Sequence, residues 1–552
     1  MPVIQLSLNG LLSSTKSKAT EKEILDSLPY LGLDLEGREG DTVSVEYSPN
    51  RPDFSSEAGI ARSLVGLLGI ELGTPKYGFP QGGSKITVED NEIRSVRPFV
   101  FGMSASINVT DDLIKQLITM QEDLTNGIGR RRSKVAIGIH NAEAIKAPIR
   151  YFATRDKSFS FVPLYGTKPE TISTILGRTV QGRQYAGLVS SGVYPLLEDS
   201  DKNILSMPPI INGELTRLKP GIRQLFIDVT ATEKSAGDGA TAIMAAMLSD
   251  SGGKVEMVLV EDSQGHWTPD MTERRMRFDL DLTNRTLGLN LSLDEARSAL
   301  ERSRFSLDSE EAVIPRFRMD MIHPVDLVEE VALGYGVAKF TPEKTESSLT
   351  GSINPENRRM RRIIDVMVGL GAIEVVNLSL TNKREADLYS GKDLIAEVED
   401  AKSENYEYLK AEVIPSLLSV LGSNTHEEYP QKIFEQASVF KKSVEAEAQL
   451  VEEQHLGMAI AESSASFSAA KSLLDALLGI TIGADQQIKY EPKNSENGVF
   501  ASGRTASILL SKKSEHIELG RVGEISPDVL EKVGLKVPVA GFEINLEHLL
   551  RG

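Results

Sequence analysis

Not one of the 552 residues is a cysteine. That absence removes disulfide frameworks, thiolate zinc sites and cysteine nucleophiles together, so the fold must be held by buried apolar surface. Hydrophobic residues make up 40% of the chain, enough for each of the three to four domains that this length predicts. The seven histidines lie far apart in sequence, so any metal is expected on oxygen ligands, with magnesium the leading candidate. No stretch approaches the roughly 18 to 20 apolar residues of a membrane-spanning helix. The opening "MPVIQLSLNGLLSSTKSK" also lacks the basic start and apolar run of a secretion signal. A cytoplasmic protein without membrane contact is expected.

The periodicities predict a multidomain chain of α/β and α+β class. Residues 1–90 hold an N-terminal domain: a strand at Val3–Leu8, another with Val43, Val45 and Tyr47 alternating, and a helix opened by Ser55 or Ser56 after the turn "SPNRPD". The stretch "KYGFPQGGSK" reads as the first boundary. Residues 91–266 form a mixed α/β domain, with strands at "VFGMSASINV", "KVAIGIH", "YAGLVSS", "LFIDVTA" and "KVEMVLVE". Its helix at 111–128 carries Leu113, Ile114, Leu117, Ile118 and Leu124 on one face. Residues 267–345 make a small helix-rich domain, and 346–552 a further α/β domain.

The sequence "RMDMIHPVDLVEE" gathers Asp320, Asp326, Glu329 and Glu330 around Pro324. Apolar Phe317, Met319 and Met321 alternate with polar Arg316, Arg318 and Asp320, which places Asp320 on the wet face of a strand. Pro324 suits the first position of a helix. Asp326, Glu329 and Glu330 then share one helical face. The spacing admits two readings: oxygens from two elements around one magnesium ion, or acidic residues complementing a helix dipole with no ion.

A net charge of -18 argues against nucleic-acid binding over the whole surface. Two basic islands stand out. One is "GRRRSK", with Arg130, Arg131, Arg132 and Lys134; the other is "RRMRR", with Arg358 and Arg359. They suit either phosphate contact or a solvated, salt-bridged helix face.

Eight segments in order, "YSPNRPDFSSEAGIARSL", "KVAIGIH", "SMPPIING", "FIDVT", "HPVDLVEEVALGYG", "GLGAIEVVNLSLTN", "YPQKIFE" and "GRVGEISPDVL", closely resemble the beta-subunit family of phenylalanyl-tRNA synthetases, in its archaeal and eukaryotic form. The resemblance covers nearly the whole chain. It implies an alpha2beta2 tetramer that attaches phenylalanine to its tRNA at the expense of ATP, with the synthetic site in the alpha subunit. Residues 91–266 then correspond to an editing domain that hydrolyses mischarged tyrosyl-tRNA, 267–345 to a B5-like domain, and 346–552 to a degenerate class II synthetase-like antiparallel-sheet module. In that last module Arg504 and Arg521 sit in no glycine-rich ATP-binding pattern.

The positions matching the family's magnesium site, shared with the alpha subunit, are Asp320, Asp326, Glu329 and Glu330. His140 and Asn212 are the candidate editing residues. Contact with tRNA is expected from Arg130, Arg131, Arg132, Lys134, Arg358 and Arg359, or from the partner. Two departures set up an alternative, a structural subunit with a decayed editing site. Asn141 follows the histidine where an aspartate is common, and Ala231-Thr232-Glu233 replaces a usual Gly-Thr-Asp.

Overall fold

Val43, Val45 and Tyr47 are buried to 2% exposure or less, as their period-two spacing requires of a strand with one wet face. Their strand, Thr42–Tyr47, lies between Val3–Ser7 and Leu33–Glu39 in an antiparallel sheet. The helix Glu57–Leu67 packs on it, capped by Ser56, whose side chain accepts from the Gly59 N–H. The computed structural model describes residues 2–16, 18–89, 92–189, 191–263, 265–345, 349–482, 487–493, 498–512 and 515–550. The chain divides into two units, Met1–Lys344 and Thr345–Gly552.

Within the first unit the large sheet runs in the order Ile211–Asn212, Ile204–Met207, Tyr194–Glu198, Ile149–Thr154, Gln81–Val88, Lys254–Asp262, Phe99–Ser106, Gln224–Ala231 and Val135–Asn141. Gln81–Val88 pairs parallel with both neighbours; the other pairings are antiparallel. The expected domain boundary at 90 therefore falls nearer 80, because "QGGSKITV" is a strand of the second sheet. Its two glycines weaken the strand signal. "YAGLVSS" also differs from expectation: its residues 185–189 are helical, within Val180–Tyr185 and then Ala186–Val189, the ambiguity inherent in short apolar runs.

Helices Asp111–Asn126 and Lys234–Asp250 cover one face of this sheet. Thr110 caps the first by accepting from the Leu113 N–H. Leu113, Leu117, Met120 and Leu124 turn inward, while Ile118 stays 40% exposed. The third domain packs helices Leu280–Leu287, Leu293–Arg302 and Pro324–Tyr335 around a sheet of Arg274–Arg277, Glu311–Ile314 and Ser306–Asp308.

The second unit is built on the sheet Ile373–Glu374, Gln431–Lys442, Leu450–Ala461, Val539–Asn545, Glu515–Ile525, Phe500–Lys512 and Gln487–Pro492. All pairings are antiparallel except that of the edge strand Ile373–Glu374. Helices Pro355–Gly369 and Phe467–Thr481 cover one face, and Ile414–Ser423 and Pro527–Val533 the other. Among the described residues no helix is long and apolar enough to cross a membrane.

Candidate functional site

Strand Val135–Asn141 is the last in the large sheet, so its outer edge is open, and a cavity of about 160 Å³ forms there. Ile114, Ile118 and Gln121 of the covering helix line one side, which explains the exposure of Ile118. Pro208, Pro209, Ile210, Ile211 and Asn212 close the other side. An apolar cavity of about this volume holds one benzene ring.

The polar groups at its floor follow from strand register. Gly138 lies directly opposite Asp228, and His140 opposite Phe226. His140 Nε2 is 2.7 Å from Asp228 Oδ1, and Nδ1 is 2.7 Å from Thr216 Oγ1. A carboxylate accepts, which assigns the donor role to Nε2, and the threonine hydroxyl can donate to or accept from Nδ1. A Cβ on residue 138 would lie 2.2 Å from Asp228 Oδ1 and 2.7 Å from His140 Nε2, so only glycine leaves room for the pair. On the same strand face Arg97 donates to Thr230 Oγ1 at 2.9 Å and Thr230 O at 3.0 Å. Burial pulls its guanidinium down to about 10, opposed by Tyr151 and Asp228.

The two expected editing residues separate here. Asn212 is in the cavity wall, its amide 3.5 Å from Ile139 O. His140 is fully buried behind Asp228 and Thr216 and does not line the cavity. Among the polar groups that line the cavity and were missed are Asp228, Thr216 and Ser206. Among the described residues the buried Ser206 hydroxyl has no hydrogen-bond partner, a deficit that water or a ligand atom would satisfy. The available signal was an aspartate in the middle of an apolar strand, "LFIDV", a residue type seldom buried without a partner. Neither departure touches the cavity. Asn141 caps the turn Ala142–Ala144, accepting from the Glu143 N–H at 3.0 Å. Glu233 pairs with Lys134 at 2.7 Å.

The carboxylate cluster is organised differently from its expected form. Pro315 ends the strand, so residues 316–320 form turns, and Arg318 points inward at 3% exposure instead of lying on a wet strand face. A buried guanidinium must be paired. Arg318 donates to Asp320 Oδ1 at 2.9 Å and Oδ2 at 2.6 Å, and to Glu330 Oε1. Pro324 does open the helix, and Asp326 closes a capping box by accepting from the Ile322 and His323 N–H groups, both at 2.7 Å. Glu329 is exposed and Glu330 buried, so the acidic residues do not share one wet face. Among the described residues no three His, Asp or Glu side chains gather as a metal ion needs. With two of the four carboxylates spent on Arg318, the cluster does not fit a magnesium ion by itself.

The basic islands also divide. Arg130, Arg131 and Arg132 all have positive φ, at 46, 52 and 65°. Arg130 and Arg131 are exposed and make no side-chain hydrogen bond or ion pair among the described residues. Arg132 is structural: it donates to Pro209 O at 3.2 Å and Ile210 O at 2.9 Å and lies over the Tyr185 ring, holding the cavity loop. Lys134 is engaged with Glu233. Arg358 and Arg359 are exposed near the start of helix Pro355–Gly369.

Residues 342–546 match the family described as phenylalanyl tRNA synthetase beta chain CLM domain, and residues 276–337 the tRNA synthetase B5 domain. The phenylalanine–tRNA ligase beta subunit of Archaeoglobus fulgidus is 38% identical over 99% of this chain and 98% of its own. That of Methanococcoides burtonii is 35% identical over 99% and 100%. Among solved structures, an N-terminal fragment of the phenylalanyl-tRNA synthetase beta-subunit from Pyrococcus horikoshii aligns with TM-score 0.58 at 32% identity, covering 61% of this chain and all of the fragment.

Proposed function

Because the chain belongs to the family of phenylalanine–tRNA ligase beta subunits, and is thus a ligase subunit, we propose that it serves in the cytoplasm in an alpha2beta2 tetramer. The alpha subunit carries ATP-dependent attachment of phenylalanine to tRNA, and the cavity beside Asp228 removes tyrosine attached in error. The observation that carries the editing reading is the Ser206 hydroxyl, unpaired among the described residues, in a ring-sized cavity that Asp228 also lines. A synthetic pocket for phenylalanine rejects an added hydroxyl poorly. A site built to hydrogen-bond that hydroxyl discriminates strongly, because its buried polar groups go unpaired with the wrong substrate. In this reading Ser206 and Asp228 receive the phenol hydroxyl and the isoleucines hold its ring. His140 positions Asp228 from behind.

The test is deacylation of tyrosyl-tRNA and phenylalanyl-tRNA by the tetramer. Preferential hydrolysis of the tyrosyl ester, reduced in Ser206→Ala and Asp228→Asn with synthesis intact, supports the reading. Hydrolysis no faster than without enzyme overturns it and leaves a structural subunit.

Magnesium belongs to the same proposal only as an ion completed by the alpha subunit, with half-buried Asp326 and exposed Glu329 its contribution from this chain. Asp320 and Glu330 enter only if Arg318 releases them. Titrating magnesium into the beta chain alone is expected to show no stoichiometric binding. Asp326→Ala is expected to weaken assembly with the alpha subunit more than it affects folding of the beta chain. An unchanged tetramer population in magnesium-free buffer, for wild type and variant, removes the ion from the proposal. Contact with tRNA is assigned to Arg130 and Arg131, with Arg358 and Arg359 as the second island.

A further inference from the structure

The second unit contains a charged cavity of about 370 Å³, remote in sequence from the editing cavity. Period-two alternation builds it. Glu453 and His455 project from one strand, Glu543 from its neighbour, and Arg521 from the next, where it stands directly opposite Glu543. Helix Ile414–Ser423 covers the same sheet face, and Glu412 reaches the cavity from just before it.

Most of these charges are already spent. Glu543 accepts from the Val413 N–H at 2.9 Å and the Ile414 N–H at 3.0 Å, and lies 2.8 Å from His455 Nδ1. Glu453 takes Lys441 Nζ at 2.7 Å and His455 Nε2 at 3.1 Å. Two groups are not spent. Among the described residues, Glu412 has only Ser390 as hydrogen-bond partner, through the Ser390 N–H at 3.1 Å. Arg521 uses one of its five donors, toward Ser390 Oγ at 3.2 Å. Glu412 and Arg521 feel each other's field, yet neither takes part in an ion pair among the described residues. An acid and a guanidinium that share a cavity without meeting leave a gap between opposite charges. Val499 and Phe500 add an apolar wall beside it.

From this geometry we propose that the cavity binds a small zwitterion of the α-amino acid class, its ammonium on Glu412, its carboxylate on Arg521 and an apolar side chain against Phe500. Burial and then the neighbouring Glu543 hold the Glu412 pKa above the ordinary carboxylate range, and an arriving ammonium relieves that repulsion. A forked guanidinium is the donor set that matches a carboxylate on two bonds. The volume is within the range of small-molecule sites.

The experiment is calorimetric titration of the assembled complex with L-leucine, L-methionine and L-valine, none of them the substrate of the alpha subunit, for wild type, Glu412→Gln and Arg521→Gln. At least one amino acid is expected to bind wild type saturably, and each variant to weaken that binding about tenfold or more, the loss of one charge-assisted bond. For leucine, 4-methylpentanoate lacks the ammonium and 3-methylbutylamine lacks the carboxylate, so neither analogue is expected to compete. Binding that is absent in wild type, or retained in full by both variants, overturns the proposal. Unchanged melting temperatures without ligand certify the variants. If Arg521→Gln fails to assemble, Arg521→Lys keeps the charge, loses the fork and is expected to weaken binding in an intact complex. Equal affinity in that variant overturns it too.

Discussion

A single missing side chain, that of Gly138, decides whether the floor of the cavity beside Asp228 can form. Alanine there would drive a methyl group into Asp228 and His140, and overpacking of this kind costs about 1–3 kcal/mol. Gly138→Ala is expected to lower tyrosyl-tRNA deacylation at least about tenfold while leaving phenylalanine attachment unchanged, read by parallel deacylation and charging assays. An equal loss in both assays would point to general unfolding instead. Asp53 gives a second prediction at this scale. Burial alone would raise its pKa, but Arg51, and after it Arg318 and Arg62, hold it down to about 2. An aspartate in the unfolded chain titrates near 3.9, so the folded form binds this proton less readily. Its stabilisation is therefore complete above about pH 4 and is lost as the pH falls toward about 2, on the order of 2 kcal/mol. Urea unfolding across that range is expected to show a shallower acid slope for Asp53→Asn than for wild type.

Arg318 joins two elements, the turn that follows Glu311–Ile314 and the helix Pro324–Tyr335, by pairing with Asp320 and Glu330. Replacing it with methionine leaves two carboxylates in low dielectric without a partner, at a cost of about 3–5 kcal/mol. The unfolding midpoint of Arg318→Met should fall accordingly; a change under about 1 kcal/mol would show that water reaches the pair. At the start of helix Asp111–Asn126, Thr110→Ala removes the acceptor for the Leu113 N–H and is expected to cost about 1 kcal/mol. Helix starts of this kind were legible in the sequence, as with Ser56 and Pro324, because caps are set by residues within one turn. The strand expected over Arg316–Asp320 was not. Its alternation is real, yet Pro315 ends the ladder, and the partner that draws Arg318 inward, Glu330, is twelve residues away.

For the whole molecule, the charge of -18 repels tRNA except where cations stand free. Replacing Arg130 and Arg131 with glutamine is expected to weaken tRNA binding by the complex with the alpha subunit and to lower the slope of log affinity against log salt by about 2, one per lost phosphate contact. Arg132→Gln should act differently, lowering deacylation by loosening the loop at Pro209 and Ile210 while leaving the salt slope alone. The sequence placed both types of residue in one basic run and could not divide them. By itself it determined the family, the multidomain α/β and α+β architecture, the absence of thiol chemistry, and most helices and strands, all of which follow from composition, local periodicity and ordered motifs. Tertiary structure alone decided which polar side chains meet. His140, Thr216 and Asp228 converge because antiparallel pairing sets Phe226 opposite His140 and Gly138 opposite Asp228. The carboxylates of "RMDMIHPVDLVEE" are divided between an arginine and a helix cap by the same cause. A buried charge takes whatever partner the packing brings within reach, and distance along the chain does not specify that partner.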